Sequence, residues 1–188
     1  MSSSQSYGNP APLGLLGFGL TTILLNVHNA GFYPLTSMIL GMGIFVGGLA
    51  QVIAGVQEWK VNNTFGATAF TMYGFFWLSF AALKLLPPSC VTTSTSLDAG
   101  VYLLLWGIFT ACMFVGTLKI SRAHQVIFAS LAVLFFLLAI GDFTENHAIK
   151  TLAGFEGIIC GASAFYTAIA LILNEIYGKT VLPLGMVK

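Results

Sequence analysis

The residues of this chain that could do chemistry are few and scattered. In "GDFTENHAIK", Asp142, Glu145 and His147 have a carboxylate and imidazole spacing that raises the question of a metal. Nothing in the stretch fixes a coordination geometry, so it reads as a solvated outer loop, and neither a metal nor any other cofactor is implied. Cys90, Cys112 and Cys160 are too few and too far apart for a disulfide framework or a metal site and read as packing residues. No Ser-His, two-carboxylate or metal-ligand constellation stands at workable spacing, which argues against an enzyme. His28 is the one mid-segment side chain that can change charge near neutral pH. A proton relay and a neutral structural imidazole are both open there, and the absence of an acid within a turn favours the second.

More telling are polar residues in register along apolar segments. Phe18, Thr22, Asn26 and Asn29 share one helical face of the first segment, and Glu156, Ser163, Thr167 and Asn174 share one face of the last. The second segment carries Gly47, Gln51, Gly55 and Glu58 on a stripe, and the third carries Thr64, Thr68 and Thr71. Hydroxyls that bond back to their own helix, and amides that join neighbouring helices, account for any one of these residues. Four stripes together are better explained by a polar lumen, with Thr22, Asn26, Gln51, Thr71 and Thr167 as candidate pathway residues. No Lys or Arg lies at mid-segment depth, so no fixed charge clamps an anion there. Hydroxyl and amide donors, at roughly 1.5–3 kcal/mol per hydrogen bond to a charged group, would hold a small anion weakly and release it quickly.

The elements that must position these residues are membrane helices. The chain is 57% hydrophobic and 7% charged, with a mean hydropathy of +0.90, whereas soluble domains carry about 25% charged residues. Six apolar runs, each about long enough to cross 30 Å of hydrocarbon as a helix, fall near Leu13–Phe32, Thr36–Val56, Phe65–Leu86, Ala99–Leu118, Arg122–Gly141 and Thr151–Leu173. They are continuously apolar, without the alternation of barrel strands. The expected organisation is a short tail over 1–8, a six-helix transmembrane domain over 9–176 and a second tail over 177–188. "MSSSQSYG" has no Lys or Arg and no cleavage site follows at the right distance, so the first segment is expected to be kept. Lys60, Lys119, Arg122, Lys179 and Lys188 fall on the side of both termini, against Lys84 and Lys150 on the other, which predicts cytoplasmic termini. A net charge of +1 without a basic run argues against nucleic acid.

Short loops such as "YPL" make successive helices antiparallel neighbours, whereas "PPSCVTTSTSLD" is longer and opens with the helix-breaking Pro87 and Pro88. The first, third and fifth segments start about 57 residues apart, which suggests three successive helical hairpins, and "QEWKVNNT" is faintly echoed by "NEIYGKT". Gly43-x-x-x-Gly47 and the series Ala153, Gly157, Gly161 allow close helix contact in a tight bundle or an oligomer.

The stretch "NPAPLGLLGF", made of Asn9, Pro10, Ala11, Pro12, Leu13, Gly14 and the four residues that follow, resembles the signature of the succinate-acetate permease family of acetate uptake transporters. The likeness continues through "TTILLNVHNAGF", "NTFGATAFTMYGFFWL", "ICGASAFY" and "LNEIYGKTVLP". The resemblance implies an all-α integral membrane protein with six transmembrane helices per protomer. It further implies a homo-hexamer embedded in the lipid of the inner (plasma) membrane, each protomer passing acetate and succinate. It also implies a hydrophobic constriction, matched here by Phe18, Tyr73 and Leu131, and a further pathway position at Ala164. Phe18 and Leu131 would offer apolar surface to a methyl group, and Tyr73 a hydroxyl donor as well. Asn9 is a good cap and Pro10 suits a first helical position, and the helix start could also attract carboxylate through the N–H groups of Ala11 and Leu13. His124 and Glu156 depart from the family's pattern; an ionised Glu156 in the lumen would repel anions, so it is uncharged there or faces elsewhere. A channel-like pathway leads over a proton-coupled symporter because no broken-helix pair is evident at the midplane.

Overall fold

A computed structural model describes residues 7–86, 89, 92 and 94–187. Pro87, Pro88, Cys90, Lys188 and most of the first tail therefore lie outside the described residues. Six helices long and apolar enough to span a membrane account for most of the rest: α1 (Ala11–Asn29), α2 (Ser37–Lys60), α3 (Thr64–Leu85), α4 (Ser96–Thr117), α5 (Arg122–Phe143) and α6 (His147–Tyr177). Among the described residues the only β-type pairing is one isolated bridge, Ser121 with Met186.

Local chemistry sets the ends. The Asn63 side chain accepts from Gly66 N–H at 3.0 Å to start α3, and Thr95 and Asp98 form a reciprocal capping box on α4. Asn146 Oδ1 accepts from the N–H groups of Ala148 and Ile149, at 2.9 and 3.4 Å, and so begins α6 at His147. That corrects the reading of 142–147 as one solvated loop: Asp142 belongs to α5, His147 is the first residue of α6, and only a short turn through Glu145 (φ 51°) separates them. A polar first turn hides such a helix start from a hydropathy reading, because the cap rather than the apolar run marks it. α2 and α6, whose ends carry the faint sequence echo, both stop at a left-handed residue, Asn62 (φ 59°) and Gly178 (φ 61°).

Lipid supplies no hydrophobic drive between helices, so packing depends on how closely backbones approach. α1 packs most extensively on α6, α2 on α3, and α5 on both α4 and α6. This departs from three successive hairpins: α3 and α4 meet only through long side chains such as Tyr73 with Trp106 and Phe76 with Tyr102, whereas α1 and α6, the two ends of the chain, close the bundle. At the α1–α6 seam a Cβ on Gly19 would come within 2.8 Å of the Gly161 carbonyl oxygen, and one on Gly154 would strike the backbone at Ala30. α4 is the outermost helix: only 17% of its most apolar window is buried, and Leu97, Val101, Leu105, Ile108 and Val115 face outward.

After α6 the chain turns back. Gly185 and Leu184 carbonyls accept from the N–H groups of Arg122 and Ala123 at 2.8 and 3.0 Å, capping the free donors at the start of α5. Asn174 fixes the same strap, donating to the Leu182 carbonyl at 2.8 Å and accepting from the N–H groups of Val181 and Leu182.

Candidate functional site

Phe18 on α1, Tyr73 on α3 and Leu131 on α5 meet in the centre of the bundle, each at most 6% exposed. The Phe18 and Tyr73 rings lie 6.1 Å apart, and Tyr73 is wedged against Trp106, Phe109 and Phe128 at 5.5–6.2 Å. Tilted and edge-to-face pairs at such spacings each add about 0.5–1.5 kcal/mol beyond simple burial, so the ring positions are held from several sides.

Two cavities flank this cluster, and Phe18 and Leu131 line both. The inner one, nearer the chain termini, has a volume of about 20 Å³ and is lined by Leu15, Gln51, Phe70, Tyr73 and Phe128 among others. The outer one, also about 20 Å³, is bounded by Thr22, Leu25, Asn26, Phe76, Trp77 and Leu138. Beyond it, sharing Leu25, Phe76 and Leu138, a wider vestibule of about 250 Å³ opens among His28, Asn29, Lys84, Asp142 and Lys150. A line of cavities thus runs along α1, α3 and α5 and is interrupted at Phe18 and Leu131.

Each flanking cavity carries buried polar atoms without a protein partner among the described residues: Gln51 Oε1 at the inner one, Thr22 Oγ1 and Trp77 Nε1 at the outer one. A buried polar group left unmade costs about 1–3 kcal/mol; Thr22 Oγ1 and Trp77 Nε1 can donate to water or a solute oxygen, whereas Gln51 Oε1 accepts and is satisfied by a donor such as water. Asn26 is held in place, donating to the Thr22 carbonyl at 2.9 Å and accepting from Asn29 at 3.0 Å. Gly157 of α6 makes room for it, since a Cβ there would land on the Asn26 amide. α2 aims Gln51 from just past a π-helical stretch, Gly43–Ala50, whose Gly47 and Gly48 let Trp77 and Leu78 of α3 pack closely. Such wide-turn segments concentrate at functional sites.

Tyr73 differs from the expectation. Its hydroxyl lies 2.9 Å from Thr110 Oγ1, and Thr110 commits its own proton to the Trp106 carbonyl at 2.7 Å. Tyr73 therefore donates to Thr110, away from any solute, and the narrowing presents apolar surface on all three sides. The other sequence candidates separate. Thr71 lies on the α2–α3 seam, where a Cβ on Gly55 would meet its hydroxyl, and Ala164 is buried in α6; neither lines the two cavities. Thr167 donates to the Ser163 carbonyl and borders a groove between α5, α6 and the C-terminal strap, distant from the narrowing in the lining of the bundle. The α6 stripe thus serves the strap at Thr167 and Asn174, and Glu156 lines neither flanking cavity. Trp77, Phe70 and Phe128 were not singled out from sequence, although Trp77 and Phe70 each stand one helical turn from Tyr73 and Phe128 one turn from Leu131.

At the start of α1, Asn9 Oδ1 accepts from Ala11 N–H at 3.0 Å, and Leu13 N–H reaches the Pro10 carbonyl at 3.2 Å. Both donors expected to attract carboxylate are already used, so the motif acts as a cap. It also builds the cavity, because Gly14 is the surface on which the Phe70 ring lies.

Six spanning helices around an interrupted line of cavities, with apolar narrowing and polar flanks, define a transport protein for small solutes. Residues 1–184 match the model of the GPR1/FUN34/yaaH family, and the chain belongs to that family. It is 57% identical over 178 residues to the succinate-acetate/proton symporter SatP of Escherichia coli K12, covering 94% of this chain and 95% of that one. It is 33% identical to acetate permease A of Emericella nidulans over 202 residues, covering 97% of this chain and 67% of that one. The solved structure of the bacterial acetate channel SatP superposes with a TM-score of 0.93 at 55% identity, covering 96% of this chain and 100% of that one.

Proposed function

We propose that this protein conducts acetate, and succinate as a second substrate, through each protomer along the cavities between α1, α3 and α5, with Phe18, Tyr73 and Leu131 as the narrowing and no enzymatic step. The observation that carries this reading is that Phe18 and Leu131 divide two cavities whose walls hold the unpartnered Gln51, Thr22 and Trp77 polar atoms. A small carboxylate takes hydrogen bonds from Thr22 and Trp77 on the outer flank and slides its methyl end past apolar side chains, and on the inner flank water that donates to Gln51 Oε1 can rehydrate it. A hydrated inorganic ion has no apolar end to offer and keeps its water, which the narrowing excludes.

Tyr73 is the sole titratable residue lining the two flanking cavities, and its proton is committed to Thr110. That favours a channel-like mechanism over obligatory proton coupling, although relatives of this chain carry both descriptions in their names. The outward apolar faces, α4 above all, suit lipid and neighbouring protomers, and we assign the protein to the inner membrane as a hexamer with both termini in the cytoplasm. The test is acetate current and luminal pH measured together in liposomes under an imposed voltage without a pH gradient. Acetate flux carrying one negative charge, without proton movement beyond the free-acid leak, is expected. Voltage-insensitive flux with matching proton movement would establish symport instead.

A further inference from the structure

The vestibule on the face opposite the termini is unlike the apolar cavities it leads to. Its main lobe and a second lobe of about 260 Å³ share Phe80, Lys84, Leu103 and Asp142, so Lys84 stands at their junction. Lys150 forms an ion pair with Asp142, joining α6 to α5, and its stem lies over Gly141, where a Cβ would come within 2.8 Å of it. Lys84 has no carboxylate partner among the described residues; its ammonium stands 5.8 Å over the Phe80 ring. Of the other charged and titratable groups facing this space, His28 Nδ1 donates to the Tyr33 carbonyl at 2.8 Å, the Tyr102 hydroxyl lies 2.7 Å from Ser79 Oγ and 3.2 Å from the Phe76 carbonyl, and Asp98 accepts from Thr95 N–H at 3.0 Å while keeping its negative charge.

We propose that Lys84 and Lys150 form an outer capture site for small carboxylates, dicarboxylates above all, and that Asp142 sets its strength by competing for Lys150. The inference rests on the pathway reading above and adds to it a recognition step before the narrowing. Lys84 offers uncommitted ammonium donors to a first carboxylate. The Asp142–Lys150 pair is partly exposed, Asp142 at 16% and Lys150 at 34% of their side chains, so solvent reaches it and screens it in part. An arriving carboxylate replaces Asp142 on Lys150, one ion pair for another, and the released Asp142 carboxylate sets the cost of the exchange. A dicarboxylate can engage both ammonium groups, whereas a monocarboxylate engages one at a time. The gain is in capture at low concentration, because the two ammonium groups attract anions to the mouth, an attraction that Asp98 and Asp142 on the same walls reduce.

The experiment is uptake of labelled succinate and acetate, supplied on the vestibule side, by purified protein in liposomes of neutral lipid at low and high salt. For Lys84→Gln, half-saturating succinate should rise about threefold or more, acetate less, with maximal flux unchanged and the salt dependence flattened. Asp142→Asn should lower the half-saturating concentration and steepen the salt dependence. If the pair is only a staple between α5 and α6, Asp142→Asn lowers thermal stability without improving capture, and Lys84→Gln changes nothing; either result overturns the proposal. Should a single variant fold poorly, the neutral pair Asp142→Asn with Lys150→Gln removes both charges together and must still lose succinate preference. Absence of acetate flux in the unaltered protein would instead refute the pathway reading itself, so the two failures are distinct.

Discussion

Tyr73→Phe isolates the hydroxyl at the narrowing. The ring, its neighbours at 5.5–6.2 Å and the 6.1 Å approach to Phe18 are all retained; only the bond to Thr110 is lost. Thr110 keeps its donation to the Trp106 carbonyl, so no buried donor is stranded. The cost is one neutral hydrogen bond, about 0.5–1.5 kcal/mol, or roughly 2–4 °C in melting temperature per kcal/mol for a chain of this length. If the hydroxyl faces Thr110 throughout transport, acetate flux in liposomes stays within about twofold of the unaltered protein, since nothing the solute touches has changed. A hydroxyl that donates to the passing carboxylate would contribute about 1.5–3 kcal/mol, and its loss would cut flux about tenfold or more, at 1.4 kcal/mol per decade. A tenfold loss with the melting temperature barely moved would refute the reasoning. Thr110→Val is the contrasting variant, because it leaves the buried Tyr73 hydroxyl without its acceptor and should cost more stability than Tyr73→Phe.

Three further substitutions probe the surroundings. Gly157→Ala drives a methyl into the Asn26 amide; overpacking together with the loss of its two hydrogen bonds should cost about 2–6 kcal/mol. Adding Asn26→Ala should recover much of the melting temperature, whereas additive losses would show that the two sites do not meet. Leu131→Ala should cost about 2–5 kcal/mol in stability while joining the flanking cavities, so larger carboxylates and chloride pass relative to acetate; unchanged selectivity would remove Leu131 from the narrowing. Asn174→Ala deletes three hydrogen bonds to the strap, about 2–4 kcal/mol, and carboxypeptidase should trim the C-terminus faster with acetate flux preserved. Equal trimming would show that the strap is held elsewhere.

Length and hydropathy alone determined six spans, because a bilayer demands about 20 apolar residues with internally satisfied backbones and few sequences meet that by accident. The 3.6-residue period also determined which residues share a face: Phe18, Thr22 and Asn26 on α1, and Gln51 with Gly47 on α2, are all buried together. Periodicity does not say what covers a face. α1 turns its polar face to the lumen and to Gly157, whereas α6 spends Asn174 on a returning strap and leaves Thr167 beside it, a pairing made by residues far along the chain. Thr71 likewise carries a lumen-like spacing yet lies against Gly55, because α2 and α3 approach too closely there to leave a pathway between them. Only the tertiary structure decided the direction of the Tyr73 hydroxyl, since its acceptor comes from α4, 37 residues away. It decided equally that Lys84, Asp142 and Lys150, ordinary loop-end charges in sequence, enclose one vestibule: three helix ends converge there, and a charge acquires its role from the neighbours that packing brings to it.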